Sequence, residues 1–217
     1  MTKAKPEPSW LRPPGPVANG LKIGLLGGSF NPAHEGHVYA SEVALKRLGL
    51  DYVWWLVAPQ NPLKPTAGMM PLCERLTFAA DRFEQDPRIV VVDIETVFGT
   101  RYTIDTLAAL KRRFPGVHFV WLMGSDNLQS FHRWWRWSDI AKMVPIAVVV
   151  RPGSSLASLR SRLMERFPKA RVRATRRLPL ERPPAITILD GRRNPMSATA
   201  IRRKQLQGEV LARCVPT

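Results

Sequence analysis

The chain is poor in cysteine and in long apolar segments, and both deficits exclude whole classes of protein. Only two cysteines occur among 217 residues, Cys73 and Cys214. They are too few for a disulfide framework and have no metal-ligand spacing. Free thiols are typical of a reducing compartment, so we expect a cytoplasmic protein. No apolar run approaches the roughly 20 residues that cross a bilayer, so no membrane association is expected.

Acidic residues are also scarce. The chain has 33 lysines and arginines against 17 aspartates and glutamates, a net charge of +16. The excess is concentrated after residue 150, where 16 basic residues accompany only 4 acidic ones. Such a segment attracts polyanions, although a solvated basic surface explains the same composition. No cluster of carboxylates suited to a protein-held metal ion is apparent, so no metal ligands are predicted.

The length and an apolar content of 45% indicate one medium-sized globular domain. Residues 1–20 are rich in proline and lack an apolar core, so they are predicted to be a flexible leader rather than a signal peptide. The domain then covers residues 21–217. Its last element is predicted to be short, which leaves the oligomeric state open, with a homo-oligomer as one outcome.

Apolar runs alternate with helical patterns along most of the chain. Runs of Val, Ile and Leu without polar alternation indicate strands buried on both faces, and the strand–helix rhythm indicates parallel pairing. The predicted strands cover 22–27, 51–59, 88–95, 117–124, 146–150 and 186–190. The predicted helices cover 35–48, 71–83, 103–114, 125–143, 155–167 and a segment from Ser197, with a loop at 168–184. The fold class is therefore a doubly wound, mostly parallel α/β sheet, in which ligands bind beyond the carboxyl ends of the strands.

Residues 27–37, with the sequence GGSFNPAHEGH, connect the first strand to the first helix. Gly28 lets the backbone approach a ligand closely, and Ser29 and Phe30 offer backbone N–H groups. The helix that follows directs the positive end of its dipole at the same place. These features together predict an anion-binding site.

His34 and His37 lie three residues apart, so they share a face of the first helical turn. Two imidazoles there can donate hydrogen bonds to phosphate oxygens and stabilise charge on a reacting phosphorus centre. Capping or core packing is the alternative for such a pair. A zinc site is disfavoured because no third ligand lies nearby in the sequence.

A second polar segment lies near the end of the chain. Ser197 and Thr199 are hydroxyl donors at a predicted helix N-terminus, and Arg202 lies one turn further, where its guanidinium can bind a phosphate. The two segments resemble the paired signatures of the nucleotidylyltransferase superfamily. HxGH is present as residues 34–37, and S/T-x-T-x-I-R is present as residues 197–202.

Along almost its full length the chain resembles the bacterial nicotinate-nucleotide adenylyltransferases. The opening motif has Asn31 where many relatives have aspartate, and the loop PQNPLKP supplies Lys64 at the family's basic position. RYTIDTL, residues 101–107, matches the Y-T-x-x-T-L element. WLMGSDNLQSFHRWWRWSDI, residues 121–140, matches the G-x-D-x-L…F-x-x-W pattern.

The resemblance implies a Rossmann-like nucleotidylyltransferase fold and transfer of the adenylyl group of ATP to nicotinate mononucleotide. The products would be deamido-NAD and pyrophosphate, within NAD biosynthesis, and Mg²⁺ would arrive on the ATP phosphates. The catalytic residues would be His34, His37 and Arg202. The ATP-binding residues would be Gly28, Ser29, Phe30, Ser197 and Thr199. The mononucleotide-binding residues would be Lys64, Thr103, Gly124, Asp126, Trp134, as the ring-stacking residue, and Trp135.

Other residues are predicted to be structural. Trp54 and Trp55 lie in a strand, Trp137 is expected in the core, and Arg75 is expected to be an ordinary surface residue. Two other functions fit part of the pattern. The same chemistry on pantetheine phosphate would not require the tryptophan-rich segment. A non-enzymatic nucleic-acid-binding protein would explain the basic C-terminal part and the aromatic residues but not the paired phosphate motifs, so nucleic acid is not expected as a partner.

Overall fold

The computed structural model of the chain describes residues 15–60, 68–81, 86–150 and 161–189. Within these ranges the strands are β1 (Lys22–Gly28), β2 (Tyr52–Val57), β3 (Ile89–Val92), β4 (His118–Gly124), β5 (Ile146–Val149) and β6 (Ile186–Leu189). They form one sheet in the order β3-β2-β1-β4-β5-β6, and every neighbouring pair is parallel. The predicted doubly wound α/β class is confirmed. The strand order reverses between β1 and β4, which is where such sheets bind ligands.

Helices flank the sheet. They are α1 (Glu35–Leu48), α2 (Leu72–Asp81), α3 (Ile94–Phe98), α4 (Thr103–Arg113), α5 (Ser125–Ser130), α6 (Trp137–Met143) and α7 (Arg162–Arg166), with 3₁₀ turns at Phe131–Arg133 and Thr175–Leu180. Helix α1 has the predicted ends. It ends because Gly49 adopts the left-handed conformation, with φ of 64°, and its N–H bonds back to the carbonyl of Leu45.

Two apolar clusters cover the two faces of the sheet. Trp54 and Trp55 are both fully buried, one in each cluster, because successive side chains of a strand point to opposite faces. The predicted structural role of both residues is confirmed. Trp137 is half-buried and packs edge-on against Phe131 and Phe167, so it belongs to the margin of the core.

Two predicted elements are wrong in their extent. The strand predicted at 88–95 ends at Val92, and the chain turns into α3 from residue 94. The single helix predicted at 125–143 is interrupted. Helix α5 ends at Ser130, Trp134 is extended after the 3₁₀ turn with ψ of 143°, and Arg136 has a left-handed φ of 52° before α6. This break places Trp134 and Trp135 in a connection between helices.

Parts of the prediction remain without a structural test. The helix predicted at 155–167 is described from residue 161 and is helical over α7. The helix predicted from Ser197 lies outside the described residues. Val17 packs against the core, and the Gly20 N–H donates to the Gly116 carbonyl at 2.8 Å, but the division into a leader and a domain stays a prediction. No helix in the four described ranges is both long enough and apolar enough to span a bilayer.

Candidate active site

A cavity of about 330 Å³ opens beyond the carboxyl ends of β1 and β4. Its wall brings together five residues that the sequence assigned to the site, namely Gly28, Ser29, Thr103, Trp134 and Trp135. These residues come from three separate stretches of chain: the end of β1 with the turn after it, the first residue of α4, and the connection that follows α5. The cavity at the topological switch point therefore contains some of the predicted site residues. Other predicted residues within the described ranges do not line it.

The wall at β1 depends on a close approach between Gly27 and Trp121. A Cβ atom added at Gly27 would lie 2.5 Å from Cη2 of the Trp121 ring, which is far inside van der Waals contact. Any side chain at this position would displace the indole. Gly27 therefore allows the Trp121 ring to form one side of the cavity.

The chain turns sharply after β1. Phe30 has a left-handed φ of 45°, which is uncommon for a residue with a side chain. Its ring is buried and stacks on Trp55 with centroids 4.7 Å apart and planes inclined by 18°. This packing holds the strained residue in place and sets the direction in which the chain enters α1. Ser29, the preceding residue, is buried with a hydroxyl that has no hydrogen-bond partner within the described ranges.

His34 and His37 form a reciprocal cap at the N-terminus of α1. The Gly36 N–H donates to Nδ1 of His34 at 3.0 Å, and the His34 N–H donates to Nδ1 of His37 at 3.2 Å. The two ring centroids are 3.9 Å apart. Helix capping, the structural alternative for this pair, is therefore observed. Donation of hydrogen bonds to phosphate oxygens, the functional alternative, is compatible with this cap.

The cap fixes which ring nitrogen carries the proton. Because Nδ1 of each histidine accepts a backbone hydrogen bond, a neutral ring must hold its proton on Nε2. Both rings therefore present an Nε2–H donor, as an anionic ligand requires. His37 is further held by a chain of bonds to the core: its carbonyl accepts from the Ser41 hydroxyl at 2.9 Å, which in turn accepts from the Trp55 indole N–H at 2.8 Å.

Arg75 is not a surface residue, and the sequence prediction for it is wrong. Its side chain is 1% exposed, and burial lowers the pKa of its guanidinium. Nη1 donates to the Ser29 carbonyl at 2.6 Å and to the Ala58 carbonyl at 2.7 Å, and Nη2 donates to the Pro59 carbonyl at 2.9 Å. Nε donates to the Met70 carbonyl at 2.9 Å. Arg75 thus ties the loops after β1 and β2 together and places a buried positive charge behind the Ser29 turn.

Aromatic rings form the opposite wall of the cavity. Trp134 is half-buried and meets Trp121 edge-on, with centroids 6.0 Å apart. Trp135 is 62% exposed and lies at the cavity rim, 5.9 Å from the Tyr102 ring. The indole N–H of Trp121 is buried without a hydrogen-bond partner in the part of the chain that the structure describes. This wall suits a flat ring bound by stacking.

Two backbone donors border the same space. Thr103 is the first residue of α4, so its N–H precedes the first hydrogen bonds of the helix, which the N–H groups of Asp105 and Thr106 donate to the Tyr102 carbonyl at 3.0 and 3.1 Å. Trp135 lies between helices, and its N–H makes no backbone hydrogen bond within the described ranges. An anionic group on a ring bound at Trp134 can accept from such donors.

The remaining predicted residues lie elsewhere. Gly124 is the N-cap of α5, and Asp126 is exposed in its first turn; neither lines the cavity, whereas the next residue, Asn127, does. Phe30, His34 and His37 form a separate group that adjoins the cavity through Gly28 and Ser29. The predicted residues outside the described ranges are Lys64, Ser197, Thr199 and Arg202.

Several cavity residues were not predicted as site residues. They are Gln60, Glu95, Arg101, Tyr102, Trp121, Asn127 and Arg133. Arg101 and Tyr102 belong to the RYTIDTL segment, and Trp121, Asn127 and Arg133 belong to the segment 121–140, so both matched segments carried the signal. No such indication exists in the sequence for Glu95, because this residue lies inside a predicted strand. No group of three or more metal-ligating side chains comes together within the described ranges.

Comparison with known proteins identifies relatives over most of the chain. The cytidylyltransferase-like family matches residues 25–204. A protein of Parvibaculum lavamentivorans, named probable nicotinate-nucleotide adenylyltransferase, is 54% identical over 187 residues, 85% of this chain and 92% of the relative. A protein of Brucella abortus with the same name is 48% identical over 189 residues, 86% of this chain and 97% of the relative.

A solved structure shares the fold at low sequence similarity. It is that of the Plasmodium falciparum nicotinic acid mononucleotide adenylyltransferase complexed with NaAD. The two chains are 14% identical and superpose with a TM-score of 0.65 over 84% of this chain and 83% of the other. At that identity the superposition shows a common architecture.

Proposed function

The chain belongs to the nicotinate-nucleotide adenylyltransferase family, within the cytidylyltransferase-like proteins, and on that premise we propose that the cavity beyond β1 and β4 is its mononucleotide site. The enzyme transfers the adenylyl group of ATP to nicotinate mononucleotide and releases pyrophosphate, which makes deamido-NAD in NAD biosynthesis. The observation that carries the site assignment is the pair of capped histidines adjoining an aromatic cavity at the topological switch point.

The reaction is a direct phosphoryl-type transfer. An oxygen of the mononucleotide phosphate attacks the α-phosphorus of ATP, the bond from that phosphorus to the bridging oxygen breaks, and pyrophosphate leaves with the electron pair. Because no covalent enzyme intermediate is needed, the protein contributes orientation and stabilisation of negative charge.

The phosphate side is assigned to the N-terminus of α1. His34 and His37 donate from Nε2 to phosphate oxygens, and the Ser29 turn supports the same anion together with the positive end of the helix. The buried charge of Arg75 adds a favourable potential from behind this turn. From the sequence, Ser197, Thr199 and Arg202 complete the phosphate side, with Arg202 neutralising charge as the leaving group forms.

The pyridine side is assigned to the aromatic wall. Trp134 stacks on the pyridine ring, with Trp121 beside it, and the cationic ring nitrogen strengthens the contact with an indole face. The N–H groups of Thr103 and Trp135 donate to the ring carboxylate. Arg101 and Arg133, both exposed at the cavity, attract the anionic substrate, as Lys64 would from its loop.

A divalent ion accompanies the nucleotide in this proposal. The described residues offer hydrogen-bond donors for anions but no carboxylate cluster. The ligands of the ion would therefore be ATP phosphate oxygens and water. Mg²⁺ is the ion that prefers such ligands. When bound, the ion neutralises phosphate charge. We place the reaction in the cytoplasm, where the free, exposed thiol of Cys73 stays reduced.

One assay tests the assignment of substrates. The purified chain is incubated with ATP, Mg²⁺ and nicotinate mononucleotide, and pyrophosphate release and deamido-NAD formation are measured together. Pantetheine phosphate replaces the mononucleotide in a parallel reaction. We expect stoichiometric pyrophosphate and dinucleotide with the pyridine substrate and neither product with pantetheine phosphate. Pyrophosphate release only with pantetheine phosphate would contradict the proposed function.

A further inference from the structure

Glu95 is the single acidic residue among the described residues that line the cavity. Its side chain is 9% exposed, and its carboxyl forms no hydrogen bond or ion pair with another described residue. The carboxyl oxygens of Glu95 are not among the fully buried, unpartnered polar atoms of the described residues, so they keep access to the cavity. Its position in the cavity wall, with Thr103 and Trp134 in the same wall, indicates that it meets a ligand.

The charged groups around Glu95 come from few elements. Arg101, Tyr102 and Arg133 line the same cavity, and both arginines are exposed to solvent. Helix α3 itself carries no other titratable side chain. Within the described ranges, β2 and α4 pack against α3. The titratable residue of β2 is Tyr52, at the far end of the strand. The titratable groups of α4 near α3 line a separate groove; they are Asp105, Arg112 and Arg113.

Burial raises the pKa of Glu95 from 4.5 to about 7. The arginines do not offset this effect, because solvent screens charges at the exposed rim. Near neutral pH the carboxyl is therefore present in both forms. A protonated carboxyl donates a hydrogen bond, whereas the ionised form only accepts one.

We propose that Glu95 contacts the substituent of the pyridine ring and determines, by its protonation state, the preference for a carboxylate over a carboxamide. This inference rests on the proposed function. The protonated acid donates to a ring carboxylate, and the ionised acid repels it. A carboxamide presents both a donor and an acceptor, so it pairs with either form. A rise in pH therefore penalises the nicotinate substrate alone.

The consequence is a linkage between proton uptake and substrate choice. Above the pKa of Glu95, binding of nicotinate mononucleotide requires one proton to be taken up, so its apparent affinity falls about tenfold per pH unit. Binding of nicotinamide mononucleotide requires none. The ratio of kcat/KM for the two mononucleotides should then fall by up to about tenfold per unit between about pH 7.5 and 9.

The first test measures this ratio against pH in the wild type, in Glu95→Gln and in Asp105→Asn. Effects of pH on ATP and on the substrate phosphate are common to both mononucleotides and cancel in the ratio. Glutamine donates and accepts but does not titrate, so we expect a flat ratio in Glu95→Gln. Asp105 is an exposed acid on α4 outside this cavity, so Asp105→Asn should keep the wild-type slope. A wild-type slope in Glu95→Gln, or a flat ratio in the wild type, overturns the proposal.

The second test needs no variant. Calorimetry of nicotinate mononucleotide binding at pH 8, in two buffers of different ionisation enthalpy, counts the protons taken up. The second ionisation of a phosphate monoester, with a pKa of about 6, is then complete and does not contribute. We expect nearly one proton for nicotinate mononucleotide and none for nicotinamide mononucleotide; equal uptake for both refutes the role of Glu95. Absence of turnover with either mononucleotide would instead refute the proposed function, independently of Glu95.

Discussion

The guanidinium of Arg75 donates a 2.6 Å hydrogen bond to the carbonyl of Ser29, across 46 positions of the chain. Through this bond a residue of α2 fixes the turn that follows β1, at the point where the phosphates of ATP are proposed to bind. The same side chain holds the loop after β2. A single buried cation thus connects the two loops that border the phosphate side.

Replacement of Arg75 by methionine should lower the free energy of unfolding by about 3 kcal/mol or more, because four carbonyl acceptors lose a charged donor. Chemical denaturation measures the change. Arg88→Met is the matched control, since Arg88 is exposed and its side chain pairs, among the residues that the structure describes, with Asp86 alone. A loss below about 1 kcal/mol is expected there. Equal losses in the two variants would contradict the role of Arg75.

The two nitrogens of His37 can be tested separately. Asparagine retains an acceptor near the Nδ1 position and glutamine retains a donor near the Nε2 position. If Nε2–H stabilises the transition state, His37→Asn should lower kcat by on the order of 10²-fold and His37→Gln should lower it less. Steady-state kinetics at saturating substrates measure kcat. His118→Ala, an exposed residue at the opposite end of β4, should leave kcat unchanged. Equal activity of the two His37 variants would exclude the proposed donor.

Removal of the Trp134 ring should weaken binding of the mononucleotide selectively. Stacking on an aromatic side chain contributes about 1–3 kcal/mol, so Trp134→Ala should raise KM for nicotinate mononucleotide by roughly 5- to 100-fold and change KM for ATP little. Trp134→Phe keeps a stacking surface and should recover most of the loss. A parallel rise in both Michaelis constants would mean that Trp134 supports the fold rather than the pyridine ring.

Glu95 also makes stability depend on pH. Its pKa is about 7 in the folded chain and 4.5 when exposed, so the unfolded state binds fewer protons between these values. The free energy of unfolding should therefore fall as pH rises from 4.5 to about 7, by about 3 kcal/mol in total. Glu95→Gln should lack this contribution, so the stability difference between the two proteins should grow across that window and then level off. A constant difference would show that Glu95 titrates normally.

The close approach of Gly27 to Trp121 predicts a coupled pair. Gly27→Ala should destabilise the fold by about 1–3 kcal/mol, because the indole must move. In Gly27→Ala combined with Trp121→Leu the clash is absent, so the two changes should be less than additive. Thermal or chemical denaturation of the four proteins in the cycle measures the coupling. Additive effects would show that the indole yields without cost.

The sheet was predictable because its strands are short apolar runs buried on both faces, and α1 was predictable because its capping residue and Gly49 mark both ends. The break between Ser130 and Trp137 was not, because the helical pattern of the sequence continues through it and the tertiary packing of residues such as Trp134 is not specified by periodicity. Phe30 and Arg136 both adopt left-handed conformations that their residue types disfavour.

The positions of candidate site residues were predictable where a motif sets local geometry, while their roles stay predictions. His34 and His37 could be placed because the sequence marks the start of a helix. Trp134 and Thr103 could be placed because they lie in the two segments that match the family. Arg75 and Glu95 could not be placed, because charged residues are rarely buried and nothing in their neighbourhood marks them as exceptions. Their burial follows from loops that are distant in sequence, which composition and periodicity do not specify.

The pairing of a glycine in β1 with an indole in β4 has a consequence for the evolution of this chain. A substitution at position 27 should cost less after a reduction in size at position 121, and a reduction at position 121 enlarges the room for the ring that is proposed to bind there. Variants that accept a bulkier heterocycle should therefore arise by a change at position 121 first, and a change at position 27 would then make reversion difficult.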